Sequence, residues 1–109
     1  MISRIGQLIL LTGSLLSSPV LLAKGDAKAG AKLNATCVAC HGKNGCSTNA
    51  ALYPNIGGQP EAYLIKSLKA YKAGTRKDPV MSPMALVLTD DTKIANVAAF
   101  YAGQSGACK

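Results

Sequence analysis

Cys37-Val38-Ala39-Cys40-His41 is the stretch on which the reading of this 109-residue chain turns. Two cysteines three apart, followed at once by the only histidine of the chain, form the C-x-x-C-H pattern of covalent haem attachment. The spacing has a chemical reason. Two thiols on one short segment can reach both vinyl groups of a single haem and close two thioethers. The adjacent imidazole is then carried beneath the iron, where a neutral ring nitrogen makes a strong axial bond. The same residues admit two other chemistries. A C-x-x-C pair also serves thioredoxin-like redox sites, but that setting calls for a βαβ unit, and the sequence has no convincing strand alternation. Cys37, Cys40, His41 and Cys46 offer the ligand types of Cys₃His zinc, yet adjacent Cys40 and His41 project poorly onto one tetrahedral ion.

Upstream of the motif lies a leader. Arg4 is followed by an apolar run, Ile5, Leu8, Ile9, Leu10, Leu11, Leu15 and Leu16, and then by Ser17-Ser18-Pro19 and Val20-Leu21-Leu22-Ala23. A positive start, a short apolar stretch and a small residue before polar sequence are the marks of a secretory signal peptide. Thr12, Gly13 and Ser14 interrupt the run, which is short for a transmembrane span; an uncleaved anchor is the alternative. The reading is a signal peptide over 1–23, cleaved after Ala23, and one domain over 24–109, exported to the periplasm. No membrane insertion of the mature protein is expected. Export places all four cysteines in an oxidising compartment.

Downstream, the chain reads as all-α and loop-rich. Ala27, Gly30, Ala31 and Leu33 make a modest apolar stripe within a helix expected over Asp26 to Thr36. Pro60 suits a first helical position, with Leu64, Leu68 and Tyr71 following at helical spacing and Gly74 as the stop. Thr89 is the expected cap of the last helix, with Asp90 and Asp91 in its first turn and Ile94, Val97, Ala98 and Tyr101 on one face. Gly42 to Gln59 and Thr75 to Pro83 read as connections. Aromatic residues make up only 5% of the chain and Trp is absent, so side chains alone build a thin core. A domain this small needs a disulfide, a metal or a prosthetic group to complete it. Its length also excludes a multidomain enzyme.

With these segments in view, Gly25 to Gly103 resembles a class I cytochrome c of the small single-haem periplasmic bacterial type. The likeness rests on Gly25-Asp26-Ala27-Lys28-Ala29-Gly30, on Cys37 to Gly42, and on Pro54-Asn55-Ile56-Gly57-Gly58-Gln59. It continues through Tyr63-Leu64, Met81-Ser82-Pro83-Met84-Ala85 and Leu88-Thr89-Asp90-Asp91. It implies a compact all-α fold of three main helices and long loops wrapped around one covalent haem c. It also implies a methionine sulfur on the iron opposite His41, at Met81 rather than Met84, and Met84 packing on the haem. Pro54 would accept the imidazole Nδ1–H through its carbonyl and so orient His41. Tyr53, Ile56, Leu64 and Leu68, with Leu86 and Leu88, would wall the haem. Iron with both axial positions filled has no open site for substrate, which favours electron transfer over catalysis.

Cys46 and Cys108 remain after haem attachment. Two leftover cysteines in an exported protein commonly pair, and a reactive or intermolecular thiol is the alternative; neither residue belongs to the family pattern. The chain carries a net charge of +7, and Arg4 is the one charged residue of 1–23. Lys66, Lys69, Lys72, Arg76 and Lys77 form one basic cluster, and Lys24, Lys28 and Lys32 another. They suit either docking to redox proteins with acidic surfaces or plain solubility. Export and the lack of a binding motif argue against nucleic acid. The expected function is a periplasmic carrier shuttling single electrons between redox partners, not an enzyme. The alternatives are a cytochrome subunit of an oxidoreductase complex and a haem enzyme or sensor with an open iron site.

Overall fold

Asp26 starts the first helix by chemistry that its neighbours cannot supply. Its Oδ1 accepts the backbone N–H groups of Lys28 (2.9 Å) and Ala29 (3.3 Å), satisfying donors that a helix start leaves unpaired. The structure is a computed structural model that describes residues 25–104 together with Gly13 and Cys108. The signal peptide read over 1–23 and its cleavage after Ala23 therefore lie outside the described residues, Gly13 apart.

Helix α1 spans Ala27–Ala31, and α2 spans Ala35–His41. The single helix expected over 26–36 is thus two. Lys32 closes α1 and Asn34 stands at the N-cap of α2. Asn is a poor interior residue because its amide competes for backbone groups, so the break falls beside it. The break separates a segment held against the last helix from the one that carries Cys37, Cys40 and His41. A Cβ on Gly30 would run into the Asn96 carbonyl and meet the Phe100 Cβ, so the two backbones touch with nothing between them. Asn96 Oδ1 also accepts the Asp26 N–H (2.8 Å), and Glu61 Oε1 accepts that of Gly25 (3.0 Å).

Helix α3 spans Glu61–Ala73, with Pro60 at its N-cap rather than at the first helical position. Gly74 ends it in the left-handed region at φ +80°, a conformation that costs glycine nothing. The connection expected over 75–83 contains the start of a further helix, α4, Met81–Ala85. Asp78 Oδ1 starts it by accepting from Val80 N and Met81 N, each at 2.8 Å. Helix α5 spans Asp91–Ala102. Its cap is Asp90 rather than Thr89. The Asp90 carboxylate accepts the Lys93 N–H (2.8 Å), while the Thr89 hydroxyl takes the Lys93 ammonium instead (2.9 Å).

Ile94, Val97, Ala98 and Tyr101 of α5 are buried, as their shared face requires, and pack with Leu64 of α3 and with Leu88. Each large apolar side chain buried here contributes about 1.5–3 kcal/mol. The described residues are helical, with no strand among them. The Cys46 and Cys108 sulfurs are bonded, joining the loop after α2 to the tail after α5.

Candidate cofactor site

His41 is the last residue of α2 and is buried. Its Nδ1 lies 2.8 Å from the Pro54 carbonyl oxygen. That oxygen can only accept, so Nδ1 carries the proton and donates it, and Nε2 is the nitrogen left to face a ligand. Pro54 reaches His41 because the loop that carries it folds back on Gly45, whose carbonyl accepts Ile56 N–H (2.8 Å) and Gly57 N–H (2.9 Å). Gly45 permits this approach: its φ is +79°, and a Cβ there would collide with Gly57. The Gly58 N–H donates to the Tyr101 carbonyl (2.9 Å), tying the same loop to α5.

Beside His41 lies a cavity of about 190 Å³. Its wall includes Cys37, His41, Pro54, Ile56, Leu64, Leu68 and Met81, all singled out from the sequence. Three others stand apart from the wall. Cys40 is half-buried on the helical turn after Cys37. Tyr53 closes a turn instead, its N–H donating to the Asn49 carbonyl (2.8 Å). Met84 is exposed. It sits three residues past Met81 on α4, so helical rise alone separates the two by about 4.5 Å along the axis. Leu86 and Leu88 are off the wall as well, Leu86 exposed and Leu88 in the core.

Sequence reasoning missed much of the remaining wall, including Tyr63, Ser67, Tyr71, Arg76, Val97 and Ala98. Tyr63, Ser67 and Tyr71 recur at four-residue spacing on α3, a stripe that periodicity could have disclosed beside Leu64 and Leu68. Tyr101 also lines the cavity, and its buried hydroxyl has no hydrogen-bond partner among the described residues. Burial pushes its proton affinity above the usual phenol range, and burial likewise pushes the Cys37 thiol up.

This donor set suits a flat apolar macrocycle that carries a metal. The wall is mostly hydrocarbon, the imidazole is held through Nδ1, a thioether shares the cavity, and a buried hydroxyl has no partner among the described residues. It does not suit zinc. Among the described residues no three His, Cys, Asp or Glu side chains gather around one point, and the Cys46 sulfur is taken by Cys108. The thioredoxin alternative lacks its βαβ frame, since no strand occurs among the described residues.

Comparison with known proteins points the same way. The family model described as Cytochrome c matches residues 27–102. Cytochrome c-554(548) of Halomonas halodenitrificans is 48% identical over 83 residues, covering 73% of this chain and 98% of that protein. Cytochrome c4 of Thiocapsa roseopersicina is 42% identical over 81 residues, covering 73% of this chain but 41% of the relative. The chain therefore spans nearly the whole of the first relative and under half of the second. The crystal structure of reduced recombinant cytochrome c4 from Pseudomonas stutzeri superposes with a TM-score of 0.63 at 25% identity, covering 75% of this chain and 52% of the other.

Proposed function

The chain belongs to the cytochrome c family, whose members carry covalently attached haem c and transfer electrons, and from that premise we propose a periplasmic single-haem carrier with His41 and Met81 as axial iron ligands. Cys37 and Cys40 are its thioether anchors in this reading. The observation that carries it is the placing of His41, buried, held through Nδ1 by the Pro54 carbonyl, and lining the same cavity as Met81.

When bound, the haem supplies a one-electron ferric/ferrous couple. Each residue of the chain has a definable part in that exchange. The Pro54 carbonyl fixes the imidazole tautomer and ring plane and raises its basicity toward a metal. The Met81 thioether is a soft ligand that favours ferrous iron and so raises the potential. Ile56, Leu64, Leu68, Val97 and Ala98 supply the apolar wall against which the haem would pack. With His41 and Met81 both holding the iron, no position would remain for substrate, and the chemistry supplied would be electron transfer rather than catalysis.

The partners are redox proteins, and the lysines are the basis for proposing that these present acidic surfaces. Lys69 is partly engaged with Asp91 (3.6 Å) at the surface, and Lys72 Nζ donates to the Leu88 carbonyl (2.9 Å). Lys66 and Lys77 are exposed cations of the same cluster. Among the described residues no helix is long and apolar enough to cross a membrane. The periplasmic location rests on the signal peptide read over residues 1–23.

Optical spectra of the haem-matured protein, oxidised and reduced, before and after acid–acetone extraction, test the reading. Haem that stays with the protein, sharp reduced c-type bands and a weak far-red ferric band from methionine ligation are the expected results. Covalent haem without that far-red band would replace the carrier with an open-site haem enzyme or sensor.

A further inference from the structure

Three of the four cysteines, Cys37, Cys40 and Cys46, stand within ten residues, and the fourth, Cys108, lies 62 residues beyond Cys46. The fold keeps the third beside the other two. After His41 the chain turns at Gly42 and Gly45, both at positive φ, and the Gly45 N–H donates back to the Gly42 carbonyl (3.2 Å). A Cβ on Gly42 would collide with the Cys46 carbonyl, so Cys46 lies against the residue that follows His41. Its sulfur is nonetheless bonded to the distant Cys108, and Cys37 and Cys40 stay out of any disulfide. Gly57 makes room for that bond, since even a Cβ there would come within 3.3 Å of the Cys108 sulfur.

An unfolded chain favours other pairs. Cys40 and Cys46 are six residues apart, and Cys37 and Cys46 are nine. Loop closure favours these short separations over one of 62 residues by roughly 20- to 30-fold. In an oxidising compartment Cys46 is therefore a competitor for either motif cysteine until Cys108 reaches it. The competition matters because of what the motif thiols must do. Each adds across a vinyl group: an S–C bond forms, the thiol proton ends on the adjacent carbon, and no electrons are lost. A sulfur already in a disulfide cannot add. The Cys46 thiolate attacking a Cys37–Cys40 disulfide forms a Cys40–Cys46 bond and releases Cys37 as thiolate, with no net oxidation. Forming Cys46–Cys108 instead releases two protons and two electrons, taken up by a protein disulfide of the export compartment that becomes a dithiol.

Resting on the reading of Cys37 and Cys40 as the haem anchors, we propose that Cys108 determines which thiols are open to haem attachment, by holding Cys46 in a disulfide away from the motif. Cys108 is a positioning residue that acts on the motif through Cys46. This role is separate from any stabilisation the bridge gives the folded chain.

The test exports the full-length chain in cells that carry haem-attachment machinery. Two quantities are read: covalent haem per chain, and the masses of unreduced peptides covering residues 37–46. Cys108→Ser loses haem by about threefold or more, well inside the preference for the short loops. Its haem-free chains carry Cys46 bonded to Cys37 or Cys40. Cys46→Ser and Cys46→Ser/Cys108→Ser return close to the native haem content. The single Cys108→Ser and the double variant lack the same bridge, so a bridge that only stabilises the fold lowers both alike. Equal haem content in those two, whether high or low, overturns the proposal. So does a haem-free Cys108→Ser chain whose Cys46 is a free thiol or is bonded to a second chain. Should Cys108→Ser be degraded before recovery, chains quenched with acid and alkylated within minutes of export decide by the same peptide masses, and no bond from Cys46 to the motif there is a refutation. Failure of the anchor reading shows separately, as an unsubstituted chain whose peptide over residues 37–41 carries no haem mass.

Discussion

The Nδ1 of His41 and the carbonyl oxygen of Pro54 are 2.8 Å apart, joined across thirteen residues of chain. This bond uses backbone rather than a side chain, so a substitution at residue 54 cannot delete the acceptor. Pro54→Ala is therefore expected to keep the native spectrum while loosening the loop. The loss comes from the freer unfolded chain, about 0.4–1 kcal/mol. Denaturant titration measures it. A changed axial-ligand spectrum would mean that the ring, not the carbonyl, orients His41.

Met81 and Met84 share one short helix, and the cavity wall includes the first of them but not the second. Met81→Ala is expected to abolish the far-red ferric band and open the ferrous iron to carbon monoxide. Met84→Ala, at an exposed position, should change neither. The reverse pattern would assign the sulfur ligand to Met84.

Gly30 is where α1 touches α5. An alanine there gains helix propensity, about 1 kcal/mol, but its methyl must displace the Asn96 carbonyl and press on Phe100. Backbone cannot swing aside as a side chain can. We expect a net loss of about 2 kcal/mol, seen as a fall in Tm of roughly 10 °C. Gly74→Ala provides the contrast, because it meets no neighbour and is opposed only by its positive φ.

The haem motif, the outer helices and much of the cavity wall were legible because they are local. C-x-x-C-H is contiguous, and Ile94, Val97, Ala98 and Tyr101 declare their face by spacing alone. What escaped the sequence depends on contacts at a distance or on competition between near-equal caps. The single helix over 26–36 looked continuous because Gly30 and Ala31 are compatible with one. The break at 32–34 accompanies a crossing with α5 that no local pattern discloses. Asp90 displaced Thr89 as cap by one residue, both being good caps. Arg76 is an exposed cation, and only the turn at Gly74, which no periodicity discloses, lays it over Tyr71.

Asp78 supports the helix that carries Met81. Hydrogen bonds from the backbone N–H groups of Met81 and then Val80 hold its carboxyl below the usual carboxylate range. A folded-state value below the unfolded one means that the stabilisation is present above about pH 4. It is lost as the pH falls through the lower, folded value. Acid titration of the oxidised protein should therefore weaken the far-red band at a higher pH in Asp78→Ala than in the native chain. Equal acid sensitivity of the two would remove Asp78 from the support of Met81.

The Cys46–Cys108 bridge closes a loop whose ends are 62 residues apart in sequence. In the chain-entropy account such a closure contributes about 4 kcal/mol, chiefly by restricting the unfolded chain. The Cys108 sulfur lies 3.4 Å from the Gly45 carbonyl oxygen and 3.8 Å from that of Gly57, so the bridge packs against the loop that carries Pro54. That loop also has backbone hydrogen bonds of its own, from Ile56 N–H and Gly57 N–H to the Gly45 carbonyl and from Gly58 N–H to the Tyr101 carbonyl. The Cys46→Ser/Cys108→Ser variant should thus lose up to about 4 kcal/mol in denaturant unfolding while keeping its axial-ligand spectrum at 25 °C. The native protein should take up no alkylating reagent at these two positions until a reductant is added. Labelling without reductant would mark them as reactive thiols, and a spectrum altered with the bridge removed would make the bridge part of the support for His41.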